Sequence, residues 1–250
     1  MEFAGGRTVL ELKDVTKTFG GLHALDELSF KVESGEILGM IGPNGSGKST
    51  AFNVITGSLK ADSGNVTFDG EDITGLPSHR VSHKGISRTF QVVRPFPHLT
   101  ALENVLVGRL FGGDGDRKST EALEHGMEVL ELVGLSEKAN LRAGAFTILE
   151  RKWLEVGRAL ATRPKLMLLD EFMAGISSSE VHHAVDLVKS INATGVTVIL
   201  VEHIVKAITE ACDRVVVLDA GRKLAEGTVD QIVNDPDVIK AYLGSRHAGG

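Results

Sequence analysis

Gly42-Pro43-Asn44-Gly45-Ser46-Gly47-Lys48-Ser49 has the spacing G-x-x-x-x-G-K-[ST] and stands between an apolar run, Ile37–Ile41, and a segment of helical composition, 48–56. That context, strand then Gly-rich loop then helix, is the one a phosphate-binding loop requires. Glycines let successive backbone N–H groups converge on a phosphate without Cβ clashes. The helix N-terminus adds positive potential. Lys48 then neutralises β/γ oxygens and the Ser49 hydroxyl ligates Mg²⁺. With Thr50 beyond them, Gly42, Pro43, Asn44, Gly45, Ser46, Gly47, Lys48 and Ser49 form a candidate cradle for a nucleoside triphosphate.

A second apolar strand, Leu166-Met167-Leu168-Leu169, ends in two carboxylates, Asp170 and Glu171. Adjacent strand residues face opposite ways, so the two have different tasks. Asp170 suits Mg²⁺ held through water at the carboxyl end of the strand, and Glu171 suits the general base that polarises the attacking water. His203 follows the apolar run 196–201, and Gln91 follows the run 86–90. At the ends of core strands, His203 could reach a γ-phosphate and Gln91 could contact Mg²⁺ or the attacking water. A structural role for either is an equal reading of the residues alone.

The 250 residues are 42% hydrophobic and 24% charged, which excludes a disordered or collagen-like chain. Basic and acidic residues number 27 and 33, and the net charge of −6 argues against nucleic acid as the main partner. Cys212 stands alone and fits a reducing compartment. Apolar runs fall far short of the ~20 residues of a membrane helix, and residues 1–7 lack the apolar centre of a secretory leader. A soluble intracellular protein is expected.

Strands are expected at 9–12, 29–32, 37–41, 66–68, 86–90, 166–169, 196–201 and 214–218, with Asp69-Gly70 as a hairpin turn. Continuous apolar runs alternating with helices predict an α/β fold with a mainly parallel sheet. Leu149, Trp153, Val156 and Leu160 form one helical stripe, and Val181, Val185 and Val188 another. Ala122, Val129, Leu130 and Val133 mark a helix before Gly134, and a polar Gly-rich loop lies between Phe111 and Ser119. The segment 215–226, with Ala220-Gly221 at its middle, reads as a terminal hairpin. One domain, 1–250, is expected, with an α/β core (1–91 and 161–250) and a helical insert (92–160).

With these elements in order, the chain resembles the ATP-binding subunits of ABC transporters from about Val9 to Gly244. The resemblance implies a P-loop NTPase fold with an N-terminal antiparallel β-subdomain and a helical subdomain. It matches Gly42–Ser49 to the Walker A loop, Leu166–Asp170 to Walker B, Glu171 to the catalytic glutamate, Gln91 to the Q-loop and His203 to the switch histidine. Phe19 matches the aromatic that stacks on adenine; a core role is its other reading. Arg88-Thr-Phe-Gln-Val-Val-Arg-Pro-Phe96 and the tail Asp235–Gly244 resemble the importers of branched-chain and other hydrophobic amino acids.

The family signature Leu-Ser-Gly-Gly-Gln corresponds to Phe146-Thr147-Ile148-Leu149-Glu150. Thr147 keeps a hydroxyl that can cap the helix and donate to phosphate, but both glycines are gone. Phe172 stands where proline is usual, and Ser177 where the D-loop has aspartate. The resemblance implies ATP and Mg²⁺ as cofactors, membrane permease subunits as partners, and a location on the inner face of the cell membrane. Because the altered signature serves the opposite subunit's nucleotide, the expected second ATPase is a related but different chain, a homodimer being the alternative. The apolar segment Val92, Val93, Pro95, Phe96 and Pro97 suits a permease contact or packing on its own helical insert. Other functions to be weighed are a soluble non-transport ABC ATPase, against which stands the lack of a coiled-coil insert or second cassette, and a regulatory subunit with little hydrolysis, against which stand Glu171 and His203.

Overall fold

The computed structural model describes residues 6–89, 95–111 and 120–247. In chain order the first elements are β1 (Thr8–Phe19), β2 (Leu22–Glu33), β3 (Ile37–Ile41), α1 (Lys48–Ile55), β4 (Ser63–Phe68) and β5 (Glu71–Asp72). Next come α2 (Ser78–His83), β6 (Ile86–Arg88), α3 (Ala101–Phe111), α4 (Thr120–Leu132), α5 (Ile148–Leu160), β7 (Leu166–Asp170) and α6 (Ser178–Ala193). The last are β8 (Thr197–Val201), α7 (Val205–Ala211), β9 (Arg214–Asp219), β10 (Arg222–Gly227), α8 (Val229–Val233) and α9 (Pro236–His247). The chain divides into two compact units, one of Met1–Ser78 with Thr197–Gly250, the other of His79–Val196.

In the first unit, β2, β1, β4 and β5 form an antiparallel sheet, while β3 lies parallel between β8 and β9 and β10 closes antiparallel on β9. Both faces of β3, β8 and β9 are covered, and Leu38, Met40, Ile199 and Val216 are fully buried, each stabilising by roughly 1.5–3 kcal/mol. Three hairpins turn through two residues at positive φ: Gly20-Gly21 (51° and 88°), Asp69-Gly70 (52° and 82°) and Ala220-Gly221 (45° and 82°). Two left-handed residues match the twist of the flanking strands.

The first two strands are longer than the expected 9–12 and 29–32. Asp14 and Glu27 take positive φ (50° and 51°) and shift the β1–β2 register, which breaks the alternation that marks a strand. Ser29 holds this bulge: its hydroxyl accepts from the Asp14 N–H at 2.8 Å and donates to the Asp14 carboxylate at 3.0 Å. The hairpin of β9 and β10 is not terminal either, since α8 and α9 follow it. Arg214 ties β9 to this end of the unit, donating to Glu36 at 2.7 Å, to the Lys31 carbonyl at 2.7 Å and to Glu226.

In the second unit, β6 pairs parallel with β7, from Ile86↔Leu166 to Arg88↔Leu168. Regular pairing stops at Arg88, short of the expected 90, and Phe90 lies outside the described residues. Helices α3, α4 and α5 pack on one another, and α6 buries the stripe Val181, Val185 and Val188. The polar loop expected at 112–119 lies outside the described residues.

Candidate functional site

The strand β3 delivers the chain into the loop 42–47, and α1 starts at Lys48. Two glycines are obligatory by geometry. A Cβ on Gly42 would lie 2.1 Å from the Leu218 carbonyl oxygen, and one on Gly47, whose φ is +106°, would lie 2.6 Å from that of Ala24. Gly47 is the N-cap of α1, and no acidic residue stands in the first turn. The positive end of α1 therefore has no carboxylate from its own first turn to neutralise it. Lys48 is buried, its Nζ donating to the carbonyls of Gly42 (2.8 Å) and Pro43 (2.9 Å) and to the Ser46 hydroxyl (3.3 Å). Asn44, Gly45 and Ser49 are exposed, and Pro43 and Thr50 half-buried.

Two further elements brace this loop. The Gly221 N–H in the β9–β10 turn donates to the Ser46 carbonyl at 3.0 Å, and Arg222 pairs with Asp26 at 2.7 Å. From α9, the Tyr242 hydroxyl accepts from the Gly42 N–H; burial pushes its pKa up and that hydrogen bond pulls it back. Phe19, at the end of β1, is 46% exposed, which excludes a core role and leaves its ring open to a planar base. The Lys17 ammonium lies 5.5 Å from the centre of that ring. His203 lies two residues beyond β8 and is exposed.

In the second unit Asp170 ends β7, 5% exposed. Arg88, on β6, donates to its Oδ2 at 2.6 Å, and the Asp170 N–H donates to the Thr89 hydroxyl at 3.2 Å. This ion pair has both side chains under 10% exposed, so each charge depends on the other. Sequence motifs give Arg88 no role of its own. A cation in the strand Ile86-Ser87-Arg88 was the available signal, because a buried charge needs a partner.

Glu171 follows at φ 47°, a left-handed conformation that costs a non-glycine residue roughly 1–2 kcal/mol. Phe172, unlike a proline there, does not restrict the backbone of its predecessor. The Ala174 N–H closes the turn onto the Glu171 carbonyl at 3.0 Å. From α5, Lys152 donates to the carbonyls of Phe172 (2.9 Å) and Ala174, and the Trp153 ring meets that of Phe172 edge-on at 5.9 Å. Nothing local in the sequence connects residues 152–153 with 172–174.

The start of α5 is satisfied by its own side chains. The Thr147 hydroxyl accepts from the Glu150 N–H at 3.3 Å, and the Glu150 carboxylate accepts from the Thr147 N–H at 2.8 Å, a capping box. Glu150 also pairs with Lys138, which with the Thr147 N–H holds its carboxyl below the usual range. Ile148 is 77% exposed. Ser177 caps α6, its N–H donating to Glu180 at 2.6 Å. Phe96 is 43% exposed and carries the Arg158 guanidinium over its ring at 4.7 Å. Gln91, Val92 and Val93 lie outside the described residues.

A Gly-rich loop capping a helix after a parallel strand, with a buried lysine, defines a phosphate-loop nucleoside triphosphatase. The comparisons narrow this class. The "ABC transporter" family model matches residues 25–174, and a second model, "Branched-chain amino acid ATP-binding cassette transporter", matches 222–248. The chain is 41% identical to the high-affinity branched-chain amino acid transport ATP-binding protein BraF of Pseudomonas aeruginosa, over 95% of this chain and 98% of BraF. It is 36% identical to the probable branched-chain amino acid transport ATP-binding protein LivG of Methanocaldococcus jannaschii, over 94% of this chain and 97% of LivG. Among solved structures, the ADP conformation of MJ1267, an ATP-binding cassette of an ABC transporter, matches with a TM-score of 0.87 and 36% identity, covering 95% of this chain and 99% of MJ1267. The cassette MJ0796 in its dimeric post-hydrolysis state, bound to ADP and Pi, matches at 0.78 and 28% over 88% of this chain and 98% of MJ0796.

The chain belongs to the ATP-binding cassette family of ABC transporters. It is a nucleotide-binding ATPase subunit, and no described helix is long and apolar enough to cross a membrane.

Proposed function

We propose that this chain hydrolyses ATP to drive import of branched-chain amino acids through a separate membrane permease, to which it binds at the inner membrane face. The observation that carries the substrate class is similarity to BraF over nearly the whole chain, joined by the branched-chain family match at 222–248. The exposed Phe96 suits a contact with the permease.

In this reading the loop Gly42–Ser49 and Thr50 bind the triphosphate, with Lys48 exchanging carbonyl partners for phosphate oxygens. Phe19 stacks on the adenine. Mg²⁺, when bound, neutralises charge on the β/γ oxygens. The Ser49 hydroxyl, the Asp170 carboxylate and the Gln91 amide are hard oxygen donors that fit it, with phosphates and water completing its shell. Glu171 takes the proton of the attacking water as its oxygen bonds the γ-phosphorus and the bond to ADP breaks. His203 reads the γ-phosphate, and Thr147 donates to the nucleotide of a second ATPase chain. The altered signature Phe146–Glu150 supports a partner that is related but different.

Reconstitution tests this. Proteoliposomes of the chain with its permease and second ATPase should take up radiolabelled leucine only with internal Mg-ATP. Glu171→Gln should abolish uptake and turnover while ATP still binds. Uptake of some other solute class, with leucine, isoleucine and valine excluded, would overturn the substrate reading.

A further inference from the structure

Two consecutive residues of α5, Lys152 and Trp153, hold the one turn that carries Glu171. Neighbouring helix residues diverge by about 100° around the axis, so they reach the turn from two directions. The Lys152 ammonium draws the carbonyls of Phe172 and Ala174 to one point, and Trp153 fixes the Phe172 ring. These contacts fall on Phe172 and Ala174, just after Glu171, where the left-handed backbone needs support from its surroundings. An ammonium with several donors suits two converging carbonyls, which a neutral side chain of the same length cannot join.

We propose that Lys152 is a positioning residue for the general base: it sets the direction of the Glu171 carboxylate by pinning the turn behind it. The same helix begins at Thr147, so a displacement of its N-terminus is carried along a rigid element to Lys152 and so to Glu171. The signature of this chain and its own hydrolytic centre are thereby mechanically joined. This inference rests on the reading of Glu171 as base.

The test is steady-state hydrolysis by the full chain assembled with its partner subunits, comparing Lys152→Met and Lys152→Arg with wild type. Misplacing a base by about 1 Å lowers kcat up to roughly 100-fold. Lys152→Met should therefore lose about 10- to 100-fold in kcat, with KM and fluorescent-ATP affinity within about two-fold. Lys152→Arg should recover most of the loss. Normal kcat in Lys152→Met, no recovery in Lys152→Arg, or parallel loss of affinity and melting temperature would each overturn the proposal. Undiminished turnover in Glu171→Gln alone would instead refute the base assignment.

Discussion

Two helix N-termini of this chain follow opposite rules. At α1 the cap is a left-handed glycine, Gly47, and the first turn holds Lys48, Ser49 and Thr50 with no acid. At α5 the cap is Thr147, and Glu150 in the third position folds back to close a capping box. Both termini carry the same partial positive charge from aligned peptide dipoles. One leaves that charge for an incoming anion, and the other answers it with its own carboxylate. The residue in the third helical position makes the difference between them: Thr50 leaves the end of α1 without a carboxylate, and Glu150 supplies one at α5.

The strongest way to break the contrast is Gly47→Ala. The added Cβ meets the Ala24 carbonyl at 2.6 Å on a residue held at φ +106°, so the cradle must open. Nucleotide affinity should fall by more than about 100-fold, or 2.7 kcal/mol, as read by equilibrium binding of a fluorescent ATP analogue. Binding within about three-fold of wild type would show that the loop is not what holds the phosphates.

Next in size is Thr50→Glu, which gives α1 the third-position acid of α5. A carboxylate facing a polyphosphate should weaken ATP roughly 10- to 100-fold. The melting temperature should stay level or rise, because an acid at this position favours the helix. Opposite movement of affinity and stability is the signature to look for. If both fall, the substitution has disturbed packing and the comparison fails.

What the sequence disclosed follows the same division. The strand, loop and helix around 42–49 were legible because phosphate chemistry dictates their spelling, and Thr147 as a cap because capping is local, while the reciprocal bond from Glu150 came from the structure. Asp69-Gly70 and Ala220-Gly221 announced their turns through residues that tolerate positive φ or follow one that must take it. The full length of β1 and β2 was hidden by Asp14 and Glu27, whose left-handed backbone shifts the register in mid-strand with no glycine to mark it. Arg88 with Asp170, Lys152 with Phe172 and Tyr242 with Gly42 join positions 82, 20 and 200 residues apart or join a helix to a loop, and pairing at such range leaves no periodicity.

The smallest effect tests the closed terminus. Glu150 gains a Lys138 partner and the Thr147 N–H on folding, so its folded-state pKa lies below the ordinary 4.5. A carboxyl depressed in this way contributes stability that is present above its unfolded value and lost as pH falls through the folded one. Glu150→Gln keeps the capping box and removes only the ion pair with Lys138, worth about 0–1 kcal/mol, whereas Glu150→Ala also removes the acceptor of the Thr147 N–H, leaves the Thr147 hydroxyl on the N–H of residue 150, and should cost about 1 kcal/mol. Chemical denaturation at pH 7 should therefore rank wild type, then Gln, then Ala. On acidification below 4.5 the gap between wild type and Gln should close, while that between Gln and Ala, which rests on an uncharged cap, should persist. A gap between wild type and Gln that survives acid would mean the Glu150 carboxylate is held for a reason other than charge, and the opposition between the two termini would lose its electrostatic basis.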